Sequence, residues 1–197
     1  MSIFNTFIIP TIGRSSLKTA IESVLIQDNT HIVVVSDNIK LNNLINNNRI
    51  TYIKNKYDSG SAGLVRNCGI EYTLSHIQTE YISFLDDDDY ITNNFTDIIK
   101  LYPIYDLLIH SINFLYHKKE RKKLPPCSGF EIKRGHMGIA MTVKNQILKD
   151  KHIRFGNFIA EDFFFAKALI DNGATYYNTG ISTYVAPSKG KWNYIHD

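Results

Sequence analysis

The stretch YISFLDDDDY, residues 81–90, joins an unbroken apolar run to four consecutive aspartates. Its first half, YISFL (81–85), predicts a buried strand, because a strand covered on both faces needs no alternation of polar residues. Four adjacent carboxylates repel one another and raise one another's pKa. A fold tolerates such a run where water solvates it or where a cation neutralises it. The end of this strand is therefore the first candidate for a functional site.

Upstream of this stretch, short apolar runs alternate with helical segments. A helix is predicted over 17–27, since its apolar residues recur at i, i+3, i+4, i+7 and i+8. A glycine-bearing loop that leads into a helix is predicted over 56–76. Strands that alternate with helices in this way are typical of a parallel sheet covered on both faces. The other predicted elements here are strands FNTFIIP (4–10), HIVVVSD (31–37) and ITYIK (50–54), and a weak helix LNNLINN (41–47).

Beyond residue 90 the pattern is less regular and predicts a smaller antiparallel part. Residues 106–110 and 112–117 are predicted as two strands that pair with each other, and 138–143 as another strand. Residues 161–173 have a helical repeat, and Gly173 is suited to end that helix. No linker, repeat or low-complexity segment interrupts the chain. We therefore expect one domain over residues 1–197.

Composition excludes several classes of protein. With 22 basic and 19 acidic residues the net charge is +3, which gives no strong attraction to nucleic acid. Two cysteines, Cys68 and Cys127, are too few for a disulfide framework and lack metal-site spacing. No signal peptide is recognisable, and no apolar run reaches the ~20 residues of a membrane span. We expect a soluble cytoplasmic protein. The basic run 117–123 is predicted as a solvated turn, with anchoring to phosphates or to an anionic membrane as the alternative.

Polar residues follow each of the four predicted parallel strands. In an open parallel sheet, ligands bind beyond the carboxyl ends of the strands. Carboxylates at such an end suit Mg²⁺ or Mn²⁺, which prefer oxygen ligands and often share them with substrate phosphates. The alternative is a solvated turn in which one acid caps the next helix. The strand-end residues are Thr11 and Arg14, Asp37, Gly60, and the run from Asp86 to Asp89.

Five segments in this order resemble the family 2 glycosyltransferases of GT-A fold: IPTIGRSSLKTAIESVLIQ, VVVSD, GSAGLVRNCGIEY, ISFLDDDD and EDFFFAKALIDNG. The resemblance implies an α/β, Rossmann-like domain with a mostly parallel central sheet flanked by helices. Residues 1–90 would form its nucleotide-binding half and residues 91–197 its acceptor-binding half. The implied reaction moves a sugar from a nucleoside-diphosphate sugar, with a UDP-sugar favoured, to a hydroxyl of a glycan, glycoprotein or glycolipid, with inversion and with Mn²⁺ or Mg²⁺.

The acidic run matches the family's DxD motif. On this match Asp88 is the direct metal ligand, and Asp86 lies near the ribose or a metal-bound water. Because Asp87 fills the middle position, a shift by one residue would instead select Asp87 and Asp89. The sequence leaves this register open.

The resemblance also implies a set of donor-binding residues. Asp37 falls where the family binds the nucleotide base, and a carboxylate can only accept a hydrogen bond, which suits the N3–H of uracil. The glycines near Gly60 let the backbone pass close to a ligand. Cys68 is expected to be a buried small residue rather than a nucleophile. The implied donor-side residues are Thr11, Arg14, Asp37, Gly60, Arg66, Asn67, Asp86 and Asp87.

On the acceptor side, Asp162 matches the family's general base, which takes the proton from the acceptor hydroxyl. Glu161 would orient the acceptor, and His136 would line that side. The alternative is that both acids only favour the helix N-terminus. In the C-terminal tail, His196 would complete the metal site, Trp192 would stack on a sugar, and Lys189 and Lys191 would close over the diphosphate.

Two other functions stay open on the sequence. A nucleotidyltransferase would also use acids, a metal and a glycine-bearing loop, although no GxG-type loop follows the first strand. A catalytically inactive nucleotide- or sugar-binding relative is the second alternative, although it would have no need of both Asp88 and Asp162. A nucleic-acid-binding module fits worst, for want of a basic aromatic surface. The donor sugar, the acceptor and the linkage are not predicted.

Overall fold

The computed structural model describes residues 3–41, 44–55, 59–116, 119–129 and 131–187. Its helices within these ranges are α1 (Leu17–Leu25), α2 (Ala62–His76), α3 (Phe95–Lys100), α4 (Asn145–Lys151) and α5 (Glu161–Asp171). Its strands within the same ranges are β1 (Ile3–Thr11), β2 (Thr30–Asp37), β3 (Ile50–Asn55), β4 (Thr79–Phe84), β5 (Tyr90–Ile91), β6 (Leu107–Tyr116), β7 (Lys119–Leu124), β8 (Met141–Lys144) and β9 (Tyr176–Pro187).

The N-terminal part is a four-stranded parallel sheet in the order β3-β2-β1-β4. β1 lies at its centre, where Phe7 pairs in register with Ile32 of β2 and Ser83 of β4. The apolar runs of β1 and β2 are buried, and helix α2 packs against both strands. The predicted parallel sheet is confirmed, and the carboxyl ends of β1, β2, β3 and β4 lie at one edge.

The C-terminal part extends the same sheet beyond β4 in the order β8-β6-β9-β5, with β7 paired to β6. β8 runs antiparallel to both β4 and β6, and β5 runs antiparallel to β9. β6 and β9 are parallel. An antiparallel part in the second half of the chain is therefore confirmed, and it continues the parallel sheet rather than forming a separate one.

The prediction of two paired strands over 106–110 and 112–117 is wrong, because residues 107–110 and 112–116 belong to the single strand β6. Ser111, which interrupts the apolar pattern, is buried, and its hydroxyl donates a hydrogen bond to Pro125 O at 2.7 Å. A polar residue with a long-range partner can lie inside a strand without ending it.

Three further local predictions are corrected. The described residues 41 and 44–47 are not helical; the Tyr52 hydroxyl instead bonds both the N–H and the C=O of Ile45, each at 3.1 Å. In the basic run, Lys119–Leu124 is not a turn but strand β7, whose backbone pairs with β6 while Lys122 is exposed. The strand predicted over 138–143 begins only at Met141.

Helix α2 packs unusually close to the sheet. A Cβ at Gly69 would lie 2.5 Å from Ile8 Cγ2, so the glycine permits the contact between α2 and β1. At the start of α2, a Cβ at Gly63 would lie 2.9 Å from Gly156 O. These contacts fix the first turns of α2 at the carboxyl edge of the sheet, against the segment that precedes α5.

A chain of buried polar groups crosses the middle of the sheet. Asn5 bonds to Ser83, Ser83 to Thr142, and Thr142 Oγ1 lies 3.1 Å from His110 Nε2. His110 is 1% exposed, and its Nδ1 has no hydrogen-bond partner among the described residues. Burial lowers the pKa of His110 to about 3. The imidazole is therefore neutral in the folded protein at neutral pH.

His110 should make the protein sensitive to acid. Its folded-state pKa is lowered, so its contribution to stability is complete above the unfolded value of 6.5 and is lost as the pH falls towards about 3. Between pH 7 and pH 4.5, wild type should lose on the order of 2 kcal/mol more unfolding free energy than His110→Gln, measured by urea denaturation. His152→Asn, at an exposed histidine, is the control and should lose as much as wild type. Equal losses in wild type and His110→Gln would contradict this account.

Candidate active site

The four aspartates that follow β4 divide into one buried residue and three that are partly exposed. Asp87 is 1% exposed and accepts hydrogen bonds from Thr11 Oγ1 at 2.6 Å and from the Arg14 guanidinium at 2.5 Å. Thr11 Oγ1 in turn accepts from Gly13 N at 2.9 Å. Thr11, Arg14 and Asp87, all predicted donor-side residues, thus join the end of β1 to the acidic run.

The other three aspartates form a cluster. Asp86, Asp88 and Asp89 each offer a carboxylate oxygen, and these oxygens lie within 4.8 Å of one another. Arg14 approaches from one side, with Nε 4.0 Å from Asp88. Oxygen-only donor sets suit Mg²⁺ and Mn²⁺, so these residues fit a hard divalent cation. Asp87 turns inward to Thr11 and Arg14 instead of joining this cluster.

Arg66 of α2 connects this cluster to α5. The guanidinium is 3% exposed and binds Asp86 at 2.5 Å and Glu161 at 3.0 Å. Its central carbon lies 5.5 Å from the centroid of the Phe155 ring. Arg66 was predicted on the donor side and Glu161 on the acceptor side, and the structure brings the two together across 95 positions of sequence.

Asn67, the neighbour of Arg66, forms hydrogen bonds with the backbone of Phe155. Its Nδ2 donates to Phe155 O at 2.9 Å, and its Oδ1 accepts from Phe155 N at 2.8 Å. Both ends of the amide therefore hold the segment that leads into α5. Its predicted contact with a nucleotide stays a prediction.

Asp162, the predicted general base, lies in the first turn of α5 next to Glu161. Burial raises the pKa of Asp162 to about 6, although the hydrogen bond from Phe163 N at 2.7 Å acts in the opposite direction. Its other oxygen lies 3.8 Å from the position that a Cβ of Gly138 would occupy. Gly138 thus leaves room beside the carboxylate, which a larger residue would fill.

Asp37 ends β2 and is 8% exposed. Its Oδ1 accepts from Asn55 Nδ2 at 3.0 Å and from Ser59 N at 3.2 Å, and the Ser59 hydroxyl lies 3.3 Å from Oδ2. Sequence reasoning missed Asn55 and Ser59. Asn55 is the register partner of Asp37 on β3, so correct pairing of the predicted strands would have found it. Gly60 follows with a φ of +57°, the left-handed conformation that glycine favours.

Tyr184 of β9 is a second residue that the sequence did not indicate. It is fully buried, and its hydroxyl oxygen accepts a hydrogen bond from Asp86 N at 2.9 Å. Burial raises the pKa of Tyr184 well above its usual value, so the phenol stays neutral. A tyrosine 98 positions from its partner leaves no local signal in the sequence.

The remaining predicted residues have different outcomes. His136, two residues before Gly138, is exposed. Its backbone N–H donates a hydrogen bond to Lys133 O at 3.0 Å. Cys68 is a free, half-buried thiol whose pKa is raised by burial, as expected for a packing residue. The residues predicted in the C-terminal tail lie outside the described residues: Lys189, Lys191, Trp192 and His196.

The described helices include none long and apolar enough to cross a membrane.

Solved structures share the fold of this chain. The crystal structure of S. aureus TarS 1-349 matches with a TM-score of 0.72 and 18% identity, over 93% of this chain and 60% of that chain. Its complex with UDP matches with a TM-score of 0.66 and 17% identity, over 94% and 61%. TarS itself matches with a TM-score of 0.69 and 18% identity, over 94% and 37%. This chain therefore spans less than two thirds of each of these structures.

No curated protein sequence matches the chain. The sequence model of the family described as Glycosyl transferase family 2 matches residues 6–165, which is most of the chain. This match confirms the resemblance carried by the acidic run and the segments around it, and the TarS structures confirm the mixed α/β GT-A fold. The chain belongs to glycosyl transferase family 2.

Proposed function

We propose that this chain transfers a sugar from a nucleoside-diphosphate sugar to an acceptor hydroxyl, with the help of a divalent cation. The observation that carries the proposal is the arrangement around Arg66. One guanidinium binds Asp86 of the acidic cluster and Glu161, the neighbour of Asp162. A cation-binding cluster and a carboxylate with a raised pKa are thereby held at the same edge of the sheet.

A UDP-sugar is the favoured donor. TarS, whose fold is similar, has been crystallised in complex with UDP. In this chain, the nearly buried carboxylate of Asp37 lies at the end of β2 and can only accept hydrogen bonds, which suits the N3–H of uracil. Cytosine has no donor at that ring position, so the same carboxylate disfavours it.

The metal-binding residues are Asp86, Asp88 and Asp89. A divalent cation held there would neutralise the diphosphate and stabilise the charge that develops on it as it leaves. The carboxylate oxygens of these three residues lie within 4.8 Å of one another, and a cation placed between them would offset the mutual repulsion of their negative charges.

Asp162 acts as the general base in a direct displacement. The acceptor oxygen forms a bond to the anomeric carbon, its proton passes to Asp162, and the bond from that carbon to the diphosphate breaks. The nucleoside diphosphate departs with the bonding electron pair. Attack from the side opposite the leaving group inverts the anomeric centre. With a pKa of about 6, Asp162 is mostly ionised at neutral pH yet basic enough to accept the proton.

Family membership weighs against a nucleotidyltransferase, because such an enzyme would direct attack at phosphorus instead of the sugar. An inactive relative remains the main alternative to be tested. It would bind the donor but would show no dependence of turnover on Asp162.

Donor binding should require both the metal and Asp88. UDP with Mn²⁺, at ~100 times its Kd, should add about 2.7 kcal/mol to the stability of wild type in thermal unfolding. Asp88→Asn should lose most of that gain, because the neutral amide lacks the negative charge that attracts the cation. Asp97→Asn on α3, where the acid is 71% exposed and pairs with Lys100, is the control and should respond like wild type. Equal stabilisation by UDP without metal, or in Asp88→Asn, would contradict the proposed metal site.

Turnover should depend on Asp162 and on pH. With a UDP-sugar that supports transfer, Asp162→Asn should lower kcat by roughly 10²–10⁴ while stabilisation by UDP and Mn²⁺ persists. The wild-type rate should fall as the pH drops below about 6, because protonated Asp162 cannot accept a proton. Asp171→Asn, an exposed change in the last turn of α5, should have the wild-type rate and pH profile. Unchanged turnover in Asp162→Asn would contradict the role of Asp162 as the general base.

A further inference from the structure

The segment that joins α4 to α5 lies along one side of α2. Three residues of α2 that contact it follow one another at intervals of four, so they lie on the same face of that helix. Their partners in the segment are consecutive and come in the reverse order, so the segment runs antiparallel to α2. The pairs are Glu71 with Arg154, Asn67 with Phe155, and Gly63 with Gly156.

The contact between Asn67 and Phe155 is the directional one of the three. Asn67 Nδ2 donates to Phe155 O at 2.9 Å, and Asn67 Oδ1 accepts from Phe155 N at 2.8 Å, across 88 positions of sequence. Phe155 is 3% exposed, so its backbone groups need partners inside the protein. One amide that pairs with both backbone groups of a residue fixes the position of that residue and its orientation.

The two neighbouring contacts restrain the segment less. The Arg154 guanidinium pairs with Glu71 at 2.6 Å, but the Glu71 side chain is 62% exposed, and ion pairs at such a surface contribute little. At Gly63 a Cβ would lie 2.9 Å from Gly156 O, so this glycine permits the close approach without forming a bond. Asn67 is therefore the residue of this face that holds the segment.

The ring of Phe155 transmits this position to α5. It stacks on Phe165 with the ring centroids 3.9 Å apart and the planes within 9°, and it meets Phe84 of β4 edge to face at 5.0 Å. Phe165 lies three positions after Asp162, on the same side of α5. A shift of Phe155 would therefore move the turn of α5 that carries Asp162.

The chemistry of Asp162 depends on where that turn lies. Burial is the main cause of its raised pKa, and the charged groups that also act on it are Glu161, Arg66 and Asp86. Movement of α5 away from α2 would admit water to the carboxylate and lower its pKa towards the ordinary value. A base displaced by ~1 Å from its working position can also lose about two orders of magnitude in rate.

We propose that Asn67 is a positioning residue of the acceptor side, which places Asp162 by fixing the backbone of Phe155. The inference rests on the proposed function, in which Asp162 is the general base, and it adds no chemical step. It assigns to α2 a task beyond the Arg66 ion pairs, because the uncharged Asn67 acts on the path of the chain before α5.

Asn67→Ala removes both hydrogen bonds while keeping a residue that suits a helix. In protein without ligand, the pKa of Asp162 is read from the NMR shift of its carboxyl carbon against pH. It should fall by roughly half a pH unit or more from its value of about 6 in wild type, because water reaches the carboxylate. With a UDP-sugar that supports transfer, kcat should fall roughly tenfold. The Kd of UDP with Mn²⁺, measured calorimetrically, should stay that of wild type.

Asn145→Ala is the matched control. Asn145 is 5% exposed, and its Nδ2 donates to Thr79 O at 2.9 Å, at the start of β4 and so at the edge of the sheet opposite to Asp162. This variant also loses a long-range bond from an asparagine to the backbone. Thermal unfolding should show a lower Tm in both variants, while the pKa of Asp162 and kcat should change only in Asn67→Ala.

Gly63→Ala reaches the same segment from a second residue, since the added methyl would displace Gly156. It should lower the pKa of Asp162 as Asn67→Ala does. An unchanged pKa of Asp162 in both variants, or an equal change in Asn145→Ala, would overturn the inference. Loss of UDP affinity in Asn67→Ala without any change at Asp162 would assign the amide to the nucleotide and overturn it as well.

The positioning inference and the proposed function fail separately, because the titration of Asp162 requires no turnover. If wild type transfers no sugar but Asn67→Ala still lowers the pKa of Asp162, the proposed function fails and the positioning role of Asn67 is supported. If wild type transfers sugar and Asn67→Ala has the same kcat and the same pKa of Asp162, only the positioning inference fails.

Discussion

The buried guanidinium of Arg66 is the interaction on which the site depends. A charge that is 3% exposed is tolerated only when carboxylates pair with it, and here the two partners come from opposite halves of the chain. Asp86 follows β4, and Glu161 begins α5. The close packing of α2 on β1 at Gly69 fixes where the guanidinium lies, so both acidic segments must meet there. The ion pairs thus align the donor and acceptor sides of the proposed reaction.

The same constraint explains how four adjacent aspartates coexist. The buried carboxylate of Asp87 accepts hydrogen bonds from Thr11 and Arg14, so it faces the protein interior and not the open edge. Asp86 is partly neutralised by Arg66, while Asp88 and Asp89 remain at the edge with it. The run is therefore neither a simple solvated turn nor a cluster of equivalent ligands. One aspartate attaches the loop to β1, and the other three form the oxygen-rich cluster that would bind a cation.

Sequence reasoning succeeded where the signal was local. Unbroken apolar runs predicted β1 to β4, and the polar residues at their ends predicted the functional edge. It failed where long-range partners decide the structure. Ser111 resembles the end of a strand until its bond to Pro125 is known. Tyr184 lies on β9, 98 positions after Asp86, so no residue near Asp86 in the sequence indicates its role.

The first turn of α5 shows how neighbouring acids acquire different chemistry. Successive residues on a helix point about 100° apart, so Glu161 and Asp162 face different surroundings. Glu161 forms an ion pair with Arg66, which fixes the position of its carboxylate. For Asp162, burial is the main cause of a pKa that is raised to about 6. Two carboxylates whose environments differ in this way can divide the tasks of anchoring and proton transfer. The paired acid then serves structure, which leaves its neighbour available to accept a proton.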